Sequence, residues 1–356
     1  MAKQKGEVVR VGIIGQGRSG YGIHADHLRR DRRYRIVAVA DPITERREQA
    51  VSEFGAAAYA RAGDMLRRDD LDIVVNATPS HLHVPVSLKV LAAGHNVLCE
   101  KPLARRAAPA DRLIAAARNA GKLLAIYQQS RFAPYFQKVR QVIDSGVLGR
   151  VTMVKIAWNG FSRRWDWQTL QKFDGGNLLN TGPHPLDQAL VLFGEGMPEV
   201  TCVMDRANTF GDAEDHVKVL LTGKNRPTID LEISSCCAYP TYNYEVYGTR
   251  GGLAGSQREL KWRYFDARRA PKHDVIAEPM PERKFCREKL TWTEKSWTVP
   301  KTKADTFPVM ARAFYSHLYK TLTEGAPLVI TPQQVRRQVA VIEECHRQNR
   351  LPRRVK

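Results

Sequence analysis

The chain contains 356 residues, of which 43% are hydrophobic and 8% aromatic. This length is sufficient for two domains with substantial cores, so we expect a globular fold. The sequence has no apolar stretch of the ~20 residues that a membrane helix needs, and its start lacks the apolar segment and small-residue cleavage site of a secretory signal. These features predict a soluble, cytoplasmic protein.

The net charge of the sequence is +19 at pH 7, with 56 Lys and Arg residues against 37 Asp and Glu residues. Such a charge would suit a polyanionic partner. The basic residues are scattered, however, apart from small clusters at 29–35 and 350–356, and no nucleic-acid-binding motif accompanies them. We therefore favour a solvated basic surface over nucleic-acid binding, and an acidic substrate remains an open alternative.

Six cysteines stand at positions 99, 202, 236, 237, 286 and 345. They form no C-x-x-C pair, and the adjacent residues 236 and 237 lack the spacing of metal ligands. The favoured interpretation is a set of buried free thiols, so the sequence predicts neither a metal site nor a disulfide framework.

The first third of the chain alternates predicted strands with predicted helices. A buried strand at 8–14 leads into the pattern G-x-G-x-x-G, a helix follows, and a second strand ends at Asp41. Further strands are predicted at 72–79, 95–102 and 122–128, with helices at 44–55, 84–94 and 108–121 between them. This alternation is typical of βαβ units and predicts a parallel sheet.

The pattern changes after about residue 128. A helix at 133–146 precedes a strand at 150–160, a Trp-rich loop and a Gly-rich helix start at 175. Strand-like segments with hairpin-like breaks then follow at 199–207, 215–223, 228–236, 242–251 and 259–266. These segments predict an antiparallel sheet, and two amphipathic helices at 305–325 and 331–349 end the chain.

The glycine pattern lies between a strand and a helix, which is the context that a dinucleotide-binding loop requires. Gly15 and Gly17 would let the backbone approach a pyrophosphate, and the helix N-terminus would supply N–H donors. The loop residues Gln16, Arg18 and Ser19 are expected to contact the same cofactor.

Asp41 follows the second strand, 21 residues beyond Gly20. At this spacing a carboxylate accepts hydrogen bonds from the ribose hydroxyls and repels a 2′-phosphate, which favours NAD over NADP. Arg46 and Arg47 are near in sequence and weaken that preference. A helix N-cap role for Asp41 is the alternative.

Polar residues also follow the later strands of the predicted sheet, at the edge where ligands bind in such folds. Thr78 and Pro79 are candidates to line the nicotinamide. His81 and His83 are further candidates, and a solvated or structural role is the alternative for them. Glu100 and Lys101 end the next strand, where Pro102 stops further pairing. Gln129 and Arg131 follow the last of these strands and are candidates to face the same cleft.

The motifs "GIIGQGRSG", "VAVAD", "ATPSHLH", "CEKPLA" and "GGNLLNTGPHPLDQAL" occur in an order and spacing that resemble those of the Gfo/Idh/MocA oxidoreductase family, which includes glucose–fructose oxidoreductase and inositol dehydrogenase. The resemblance implies an α/β protein. A Rossmann domain with a doubly wound parallel sheet would span 1–128, and an α/β domain with a large open antiparallel sheet would span 129–356. The active site would lie in the cleft between them.

The same resemblance implies roles for three catalytic residues. Lys101 would bond the substrate hydroxyl beside the nicotinamide, and His184 would take its proton as hydride leaves. Asn180 replaces an aspartate of many relatives, so it can hold a hydroxyl but cannot accept a proton. Glu100 would anchor the cofactor or orient Lys101. Apart from the resemblance, Asp187 lies three residues after His184, a spacing that would let it orient His184 or stabilise its cation on a helical face.

Two prolines flank His184 in the sequence, at positions 183 and 185. Because proline lacks a backbone N–H, we expect the helix between Asn180 and His184 to be strained or interrupted.

The Trp-rich segment that begins at Trp158 lies between the motifs "CEKPLA" and "GGNLLNTGPHPLDQAL". It is expected to form a carbohydrate-binding wall. Indole faces stack on sugar C–H faces, and arginines bond hydroxyls or a carboxylate. The candidates are Trp158, Arg163, Arg164, Trp165 and Trp167, although some of these tryptophans could instead belong to the core.

The favoured function is an NAD-dependent oxidoreductase that acts on a secondary hydroxyl of a sugar, polyol or glycoside. An NAD-dependent glycoside-cleaving enzyme, which oxidises the ring transiently without net redox change, is the alternative. A regulator without catalysis and a nucleic-acid-binding protein are less favoured, because Lys101 and His184 are both present.

Assembly into a homodimer or homotetramer is also predicted. The strands within 199–265 carry apolar residues in both alternating sets, so a sheet covered on one side would expose an apolar face. Relatives of this family commonly pair these faces with closed symmetry.

Overall fold

The computed structural model describes residues 6–280 and 285–352, so residues 353–356 of the C-terminal basic cluster lie outside the described residues. Within these ranges, a six-stranded parallel sheet has the strand order β3-β2-β1-β4-β5-β6. Its strands are β1 (Val9–Ile14), β2 (Tyr34–Ala40), β3 (Ala57–Tyr59), β4 (Ile73–Asn76), β5 (Asn96–Cys99) and β6 (Leu124–Ile126). This order is that of a doubly wound dinucleotide-binding fold, which confirms the predicted parallel sheet.

Helices connect these strands. They are α1 (Asp26–Leu28), α2 (Thr44–Phe54), α3 (Ala62–Met65), α4 (His83–Ala92) and α5 (Ala107–Asn119). The predicted helix after the glycine loop begins with a π-helical turn at Gly20–Ala25, which leads directly into α1. Helix α2 ends at Gly55 in the left-handed conformation, as its terminal glycine predicts.

The second sheet, as far as the structure describes it, has eight strands in the order β14-β13-β12-β11-β7-β10-β9-β8. Its strands are β7 (Val151–Asn159), β8 (Glu199–Asp205), β9 (His216–Thr222), β10 (Thr228–Ser234), β11 (Tyr244–Gly248), β12 (Gly251–Gly255), β13 (Glu259–Tyr264) and β14 (Thr293–Thr298). The β7–β10 pair is parallel and the other pairs are antiparallel. The predicted antiparallel sheet is therefore confirmed with one parallel pair at its centre.

The remaining helices cover one face of the second sheet, and the last two of them also contact the parallel sheet. They are α6 (Pro134–Asp144), α7 (Asn177–Asn180), α8 (Pro183–Phe193), α9 (Thr306–Glu324) and α10 (Pro332–Gln348). Phe314, Tyr315 and Leu318 of α9 belong to the core of the parallel sheet, whereas Ile342 and Cys345 of α10 belong to the core of the second sheet. The C-terminal helices thus pack against both cores.

The open face of the second sheet differs from the expectation of an apolar surface. Val219 and Leu231 point into the core, but the alternate positions on the same strands include Lys218, Asp230 and Glu232. The Lys218 amine lies 2.6 Å from a carboxylate oxygen of Asp230 and 3.2 Å from one of Glu232. The outer positions of β9 and β10 therefore carry an ion-paired group of three charged residues beside Leu220 and several polar residues.

The cysteines only partly match the expectation of buried thiols. Cys99, Cys202 and Cys345 are buried, whereas Cys236 and Cys286 are exposed, and all six are free. Among the described residues, no group of three or more His, Cys, Asp or Glu side chains is placed to hold a metal ion. Across the same part of the chain, no helix has the length and apolar character needed to cross a membrane.

Candidate active site

The three glycines of the loop after β1 have different surroundings. Gly15 has a φ of +90°, and a Cβ there would lie 2.6 Å from the carbonyl oxygen of Ala77. A Cβ on Gly20 would lie 1.7 Å from the carbonyl oxygen of Gly15. A Cβ on Gly17 would meet nothing closer than 3.8 Å. The first and third glycines are therefore required by the protein's own packing, and the second leaves open space above the loop.

Asp41 connects the glycine loop to the end of β2. Its buried carboxylate accepts the backbone N–H of Gln16 at 2.7 Å and that of Ile43 at 2.9 Å. Helix α2 begins at Thr44 with Ile43 in the N-cap position, so the N-cap alternative for Asp41 is wrong. Arg46 is 3.4 Å from the same carboxylate, which keeps free lone pairs for further donors.

Unpartnered buried amides provide a test of whether this loop fits a dinucleotide. The side chain of Gln16 is 5% exposed, and both of its amide atoms lack a hydrogen-bond partner within the described residues. The carbonyl oxygen of the buried Gln129 side chain is likewise without a partner there. Buried polar groups are normally satisfied, so these atoms fit a polar ligand that contacts the loop. Together with the open space at Gly17, they fit a dinucleotide.

The segment after β4 lies at the same edge of the sheet. The Thr78 hydroxyl donates to Asn76 at 2.7 Å, and the exposed Pro79 begins a short 3-10 helix. His83 is buried, with Nδ1 2.6 Å from the carbonyl oxygen of Pro102 and Nε2 2.9 Å from that of Thr78. Both ring nitrogens face the protein, so His83 joins the Thr78 segment to the segment after β5 and has no ring nitrogen left for a cofactor.

Glu100 lies at the end of β5 and is 3% exposed. One carboxylate oxygen is 3.1 Å from Nε2 of His24, and the other accepts the backbone N–H of Lys101 at 3.0 Å. Burial alone would raise the pKa of Glu100, but the hydrogen bond and charge of His24, followed by the charge of Lys101, hold that pKa at about 2. Glu100 is therefore a fixed anion next to Lys101.

Lys101 reaches across the cleft to the second half of the molecule. Its amine donates to the main-chain carbonyl of Asn180 at 3.0 Å. Burial lowers the pKa of this amine, Glu100 opposes the shift, and Arg18 and Arg164 add to it. The carbonyl is free for this contact because α7 ends at Asn180 and α8 begins at Pro183. The predicted interruption of the helix is thus confirmed.

His184 lies in the first turn of α8, close to Lys101. Its Nδ1 is 3.2 Å from the Ser130 hydroxyl, and its ring centroid is 6.0 Å from that of Trp158. Burial lowers the pKa of His184 to about 3, and the charge of Lys101 contributes to the shift. The imidazole is therefore neutral near pH 7. If Nδ1–H donates to Ser130, Nε2 carries the lone pair that accepts a proton.

Asp187 is paired with Arg131 and not with His184, contrary to the expectation from its spacing to His184. Its carboxylate accepts two hydrogen bonds from the Arg131 guanidinium, at 2.8 Å and 2.5 Å, and both side chains are buried. Arg131 also donates to Gln334 of α10 at 2.6 Å. Arg131 therefore does not face the cleft. The pair instead joins α8 to the segment after β6 and to α10.

The Trp-rich segment lies mostly at the surface. Trp158 is half-buried beside His184, whereas Trp165 is 80% exposed and contacts Phe210 edge-on, with ring centroids 6.2 Å apart. The Arg163 guanidinium lies 4.7 Å from the centre of the same Phe210 ring. Arg164 donates to Asp166 at 2.8 Å and 2.9 Å, and it is close enough to Lys101 to affect its pKa. Trp158 packs against the core of the second sheet, as the core alternative allows, whereas Trp165 and Trp167 are exposed and do not belong to the core.

A cavity of about 450 Å³ adjoins Trp158 and Thr181 at the ends of β7 and β10. Neutral amide and hydroxyl side chains contribute much of its lining, namely Asn159, Ser162, Asn177, Ser234, Ser235, Asn243 and Gln257. Such groups can both donate and accept hydrogen bonds, as a polyhydroxylated ligand does. Arg164 is the charged residue of this lining.

Three residues of the site were not predicted from the sequence. Ser130 contacts His184, while His24 and Tyr315 lie behind Glu100, with Nδ1 of His24 2.6 Å from the Tyr315 hydroxyl. No sequence motif marks Tyr315, which is 215 residues from Glu100. His24 follows the glycine pattern by four positions. The structure shows that it is buried, but no feature of the sequence marks it as a residue of the site.

Comparison with known proteins identifies the family to which both halves of the chain are similar. The family described as "Oxidoreductase family, NAD-binding Rossmann fold" matches residues 9–128, and the "GFO/IDH/MocA C-terminal domain" matches residues 136–254. The two matches cover the glycine loop, Glu100, Lys101, Asn180 and His184.

Individual relatives match most or all of the chain. Scyllo-inositol 2-dehydrogenase (NADP(+)) IolW of Bacillus subtilis is 26% identical over 96% of this chain and 94% of its own. Inositol 2-dehydrogenase of Rhizobium meliloti is 31% identical over 70% of this chain and 76% of its own. 2,7-Anhydro-N-acetylneuraminate hydratase of Mediterraneibacter gnavus is 29% identical over 62% of this chain and 60% of its own. The chain therefore belongs to the Gfo/Idh/MocA family of oxidoreductases.

Proposed function

We propose that the protein is an NAD-dependent oxidoreductase that acts on a secondary hydroxyl of a sugar, polyol or glycoside. This proposal rests on the proximity of Lys101 to His184 across the cleft. They come together at the edge of the parallel sheet that also bears the glycine loop. A lysine amine and a neutral imidazole beside a dinucleotide site are suited to moving the proton of an alcohol.

When bound, the nicotinamide supplies the hydride acceptor or donor. Lys101 holds the substrate hydroxyl through its amine, and the neutral His184 accepts the hydroxyl proton at Nε2 while Ser130 keeps Nδ1 in place. Asn180 positions Lys101 through its main-chain carbonyl, so the amide at this position is not required for that contact. In the reducing direction His184 returns the proton.

NAD is the proposed cofactor because Asp41 places a buried carboxylate at the ribose position. The relative IolW is named as NADP-dependent, and Arg46 next to Asp41 is a cation that a 2′-phosphate would use. Calorimetry with NAD⁺ and NADP⁺ tests this choice, and tighter binding of NADP⁺ would contradict it. Arg46→Ala should weaken NADP⁺ binding more than NAD⁺ binding.

The cavity beside Trp158 is the proposed site of the sugar or polyol ring. Its amide and hydroxyl lining fits neutral hydroxyl groups, and Arg164, with Arg18 also close enough to act on Lys101, would favour an acidic substrate. Trp158 offers an indole face beside His184. Inositols are substrates in the names of two relatives, so they are the first compounds to test.

The test is a screen of purified protein with NAD⁺ against inositols, sugars, uronates and glycosides, followed through NADH absorbance. Substrate-dependent NADH formation supports the proposal. Binding of neither NAD⁺ nor NADP⁺ by calorimetry would contradict it.

The second candidate function is glycoside cleavage by transient ring oxidation, with NAD used catalytically. It is favoured by the similarity to a relative named as a hydratase of 2,7-anhydro-N-acetylneuraminate, because that reaction is not a net oxidation. Product analysis separates the two candidates. Cleavage or hydration without NADH accumulation favours the second, whereas stoichiometric NADH favours the first.

We also propose that the protein forms a homodimer or homotetramer through its second sheet. The outer half of that sheet bears a hollow of about 1000 Å³ whose lining includes two exposed aromatic residues, Tyr247 and Trp292. Exposed aromatic residues of this kind are common at subunit contacts. Light scattering at micromolar concentration should give a multiple of the 40.2 kDa chain mass, and a monomer mass would contradict the proposal.

A reducing compartment such as the cytoplasm is proposed on the basis of the cysteines. All six are free, and Cys236 and Cys286 are exposed, which suits a compartment that keeps thiols reduced. Cell fractionation with an antibody to the protein tests this assignment, and recovery from an oxidising compartment would contradict it.

A further inference from the structure

Three contacts join helix α9 to the segment that carries Lys101. The Tyr315 hydroxyl is 2.6 Å from Nδ1 of His24, Nε2 of His24 is 3.1 Å from Glu100, and Glu100 accepts the backbone N–H of Lys101 at 3.0 Å. His24 is 0% exposed and Tyr315 is 1% exposed. The contacts bring together residues from the turn after the glycine loop, the end of β5 and a helix about 200 residues further along the chain.

The directions of these hydrogen bonds follow from the charge of Glu100. An ionised carboxylate can only accept, so Nε2 of His24 donates to Glu100. In a neutral imidazole, Nδ1 accepts the Tyr315 hydroxyl proton, and in an imidazolium, Nδ1–H donates to the Tyr315 hydroxyl oxygen. In both forms the contact with Tyr315 holds the ring so that Nε2–H faces Glu100. In this arrangement each contact supports the next.

We propose that His24 and Tyr315 are positioning residues that hold the Glu100 carboxylate against Lys101 and thereby set the charge state of the lysine amine. The proposal rests on the proposed function only in treating Lys101 as the lysine that handles the substrate proton. It gives α9 a part in the active site although none of its residues contacts the amine of Lys101.

The charges around Lys101 show why the position of Glu100 matters. Arg18 from the glycine loop and Arg164 from the loop after β7 disfavour the ammonium form, and burial acts in the same direction. His184 from α8 also lies close enough to interact with the lysine charge. Glu100 is the group that favours the ammonium form. If Glu100 moves away, the pKa of Lys101 must fall.

Tyr315→Phe is the smallest change that tests this proposal, because it removes one hydroxyl and keeps the ring. His24→Leu removes both ring nitrogens, and His24→Gln restores a donor at the position of Nε2. Tyr34→Phe is the matched control. Its hydroxyl is also buried and also bonds to Tyr315, but to the main-chain carbonyl, at 2.7 Å. It therefore loses a comparable hydrogen bond without disturbing His24.

The readout is the reactivity of the Lys101 amine. Full-length protein is labelled with trace acetic anhydride across a pH series, and acetylation at Lys101 is quantified by peptide mass spectrometry. The midpoint of the pH dependence reports the pKa of the amine, independently of its accessibility. In Tyr315→Phe and His24→Leu we expect a lower midpoint, with labelling at a fixed pH below the midpoint about threefold faster than in the wild type.

Tyr34→Phe should keep the wild-type midpoint although its melting temperature falls about as much as that of Tyr315→Phe. His24→Gln should return the midpoint towards the wild-type value. An unchanged midpoint in Tyr315→Phe, or an equal shift in Tyr34→Phe, would overturn the proposal and leave a purely structural role. Because the assay needs neither substrate nor cofactor turnover, its outcome is separate from any failure to find NADH formation.

Discussion

The two sides of the cleft differ in how far their side chains are exposed to solvent. On the buried side, the glycine loop, Glu100 and His184 are fixed by partners inside the protein, and Asp41 and Glu100 are at most 3% exposed. On the other side, the loop of residues 161–173 carries Phe161 at 62% exposure and Trp165 at 80%. We call these the buried side and the exposed loop.

This difference indicates that the buried side and the exposed loop have different roles. The buried side is organised before any ligand binds, which is what proton and hydride transfer require. The exposed loop is hydrogen-bonded through its backbone to Ser235 and to the 210–213 segment, but it presents Phe161 and Trp165 to solvent, so we expect it to determine which substrate is accepted. Substitutions on the buried side should therefore affect stability and chemistry, and substitutions in the exposed loop should affect substrate affinity.

The largest effect is expected for Arg131→Met. This change leaves the buried Asp187 carboxylate without its bidentate partner, which should lower the free energy of unfolding by about 3–5 kcal/mol. Urea unfolding measures the loss. The double variant Arg131→Met/Asp187→Leu removes both charges and should recover much of the stability. A single variant as stable as the wild type would show that the pair does not support the site.

Two glycines of the loop allow the packing role to be tested separately from the approach of a ligand. Gly20→Ala places a Cβ against the Gly15 carbonyl and should destabilise the protein by about 2 kcal/mol or more. Gly17→Ala meets no close neighbour, so it should keep the wild-type stability and weaken NADH binding. Thermal unfolding and NADH fluorescence titration give the two values. If Gly17→Ala binds NADH normally, the cofactor does not approach this glycine.

The neutral His184 should make the buried side sensitive to acid. Its pKa is about 3 in the folded protein and near 6.5 when unfolded, so the unfolded chain binds more protons between these values. Stability should therefore fall as the pH is lowered through that window. His184→Gln cannot take up this proton and should lose less stability between about pH 7 and pH 5. Equal losses in urea unfolding would contradict a depressed pKa.

The smallest effect on stability is expected in the exposed loop. Trp165→Ala removes a side chain that is 80% exposed, so the free energy of unfolding should change by less than about 0.5 kcal/mol. The KM for the substrate should rise while kcat changes little, because the residue is remote from the reacting groups. A loss of kcat with an unchanged KM would place Trp165 among the groups that act on the transition state.

The buried side could be predicted from the sequence where local spacing determines the geometry. The strand, Gly15 and Asp41 are separated by fixed intervals, and the prolines around His184 predicted the break between α7 and α8. Contacts between distant segments gave no such signal. Asp187 pairs with Arg131 instead of His184, and Tyr315 supports Glu100 from the far end of the chain. These partners depend on how helices pack, which periodicity does not specify.

The exposed face of the second sheet was also beyond the sequence pattern. Alternation places Leu220 on the same side as Lys218, but only the pairing of β9 with β10 brings Lys218 to Asp230 and Glu232. An apolar face was expected from the single strands, whereas the paired strands β9 and β10 place ion pairs of Lys218 with Asp230 and Glu232 on that face.

The proposed proton transfer by Lys101 and His184 at the dinucleotide site is tested most directly by substituting each residue. Lys101→Ala and His184→Ala are compared with the wild type for NADH binding and for substrate-dependent NADH formation. Both variants should bind NADH while turnover falls by about 10²-fold or more. Turnover at the wild-type rate in either variant would contradict this proposal.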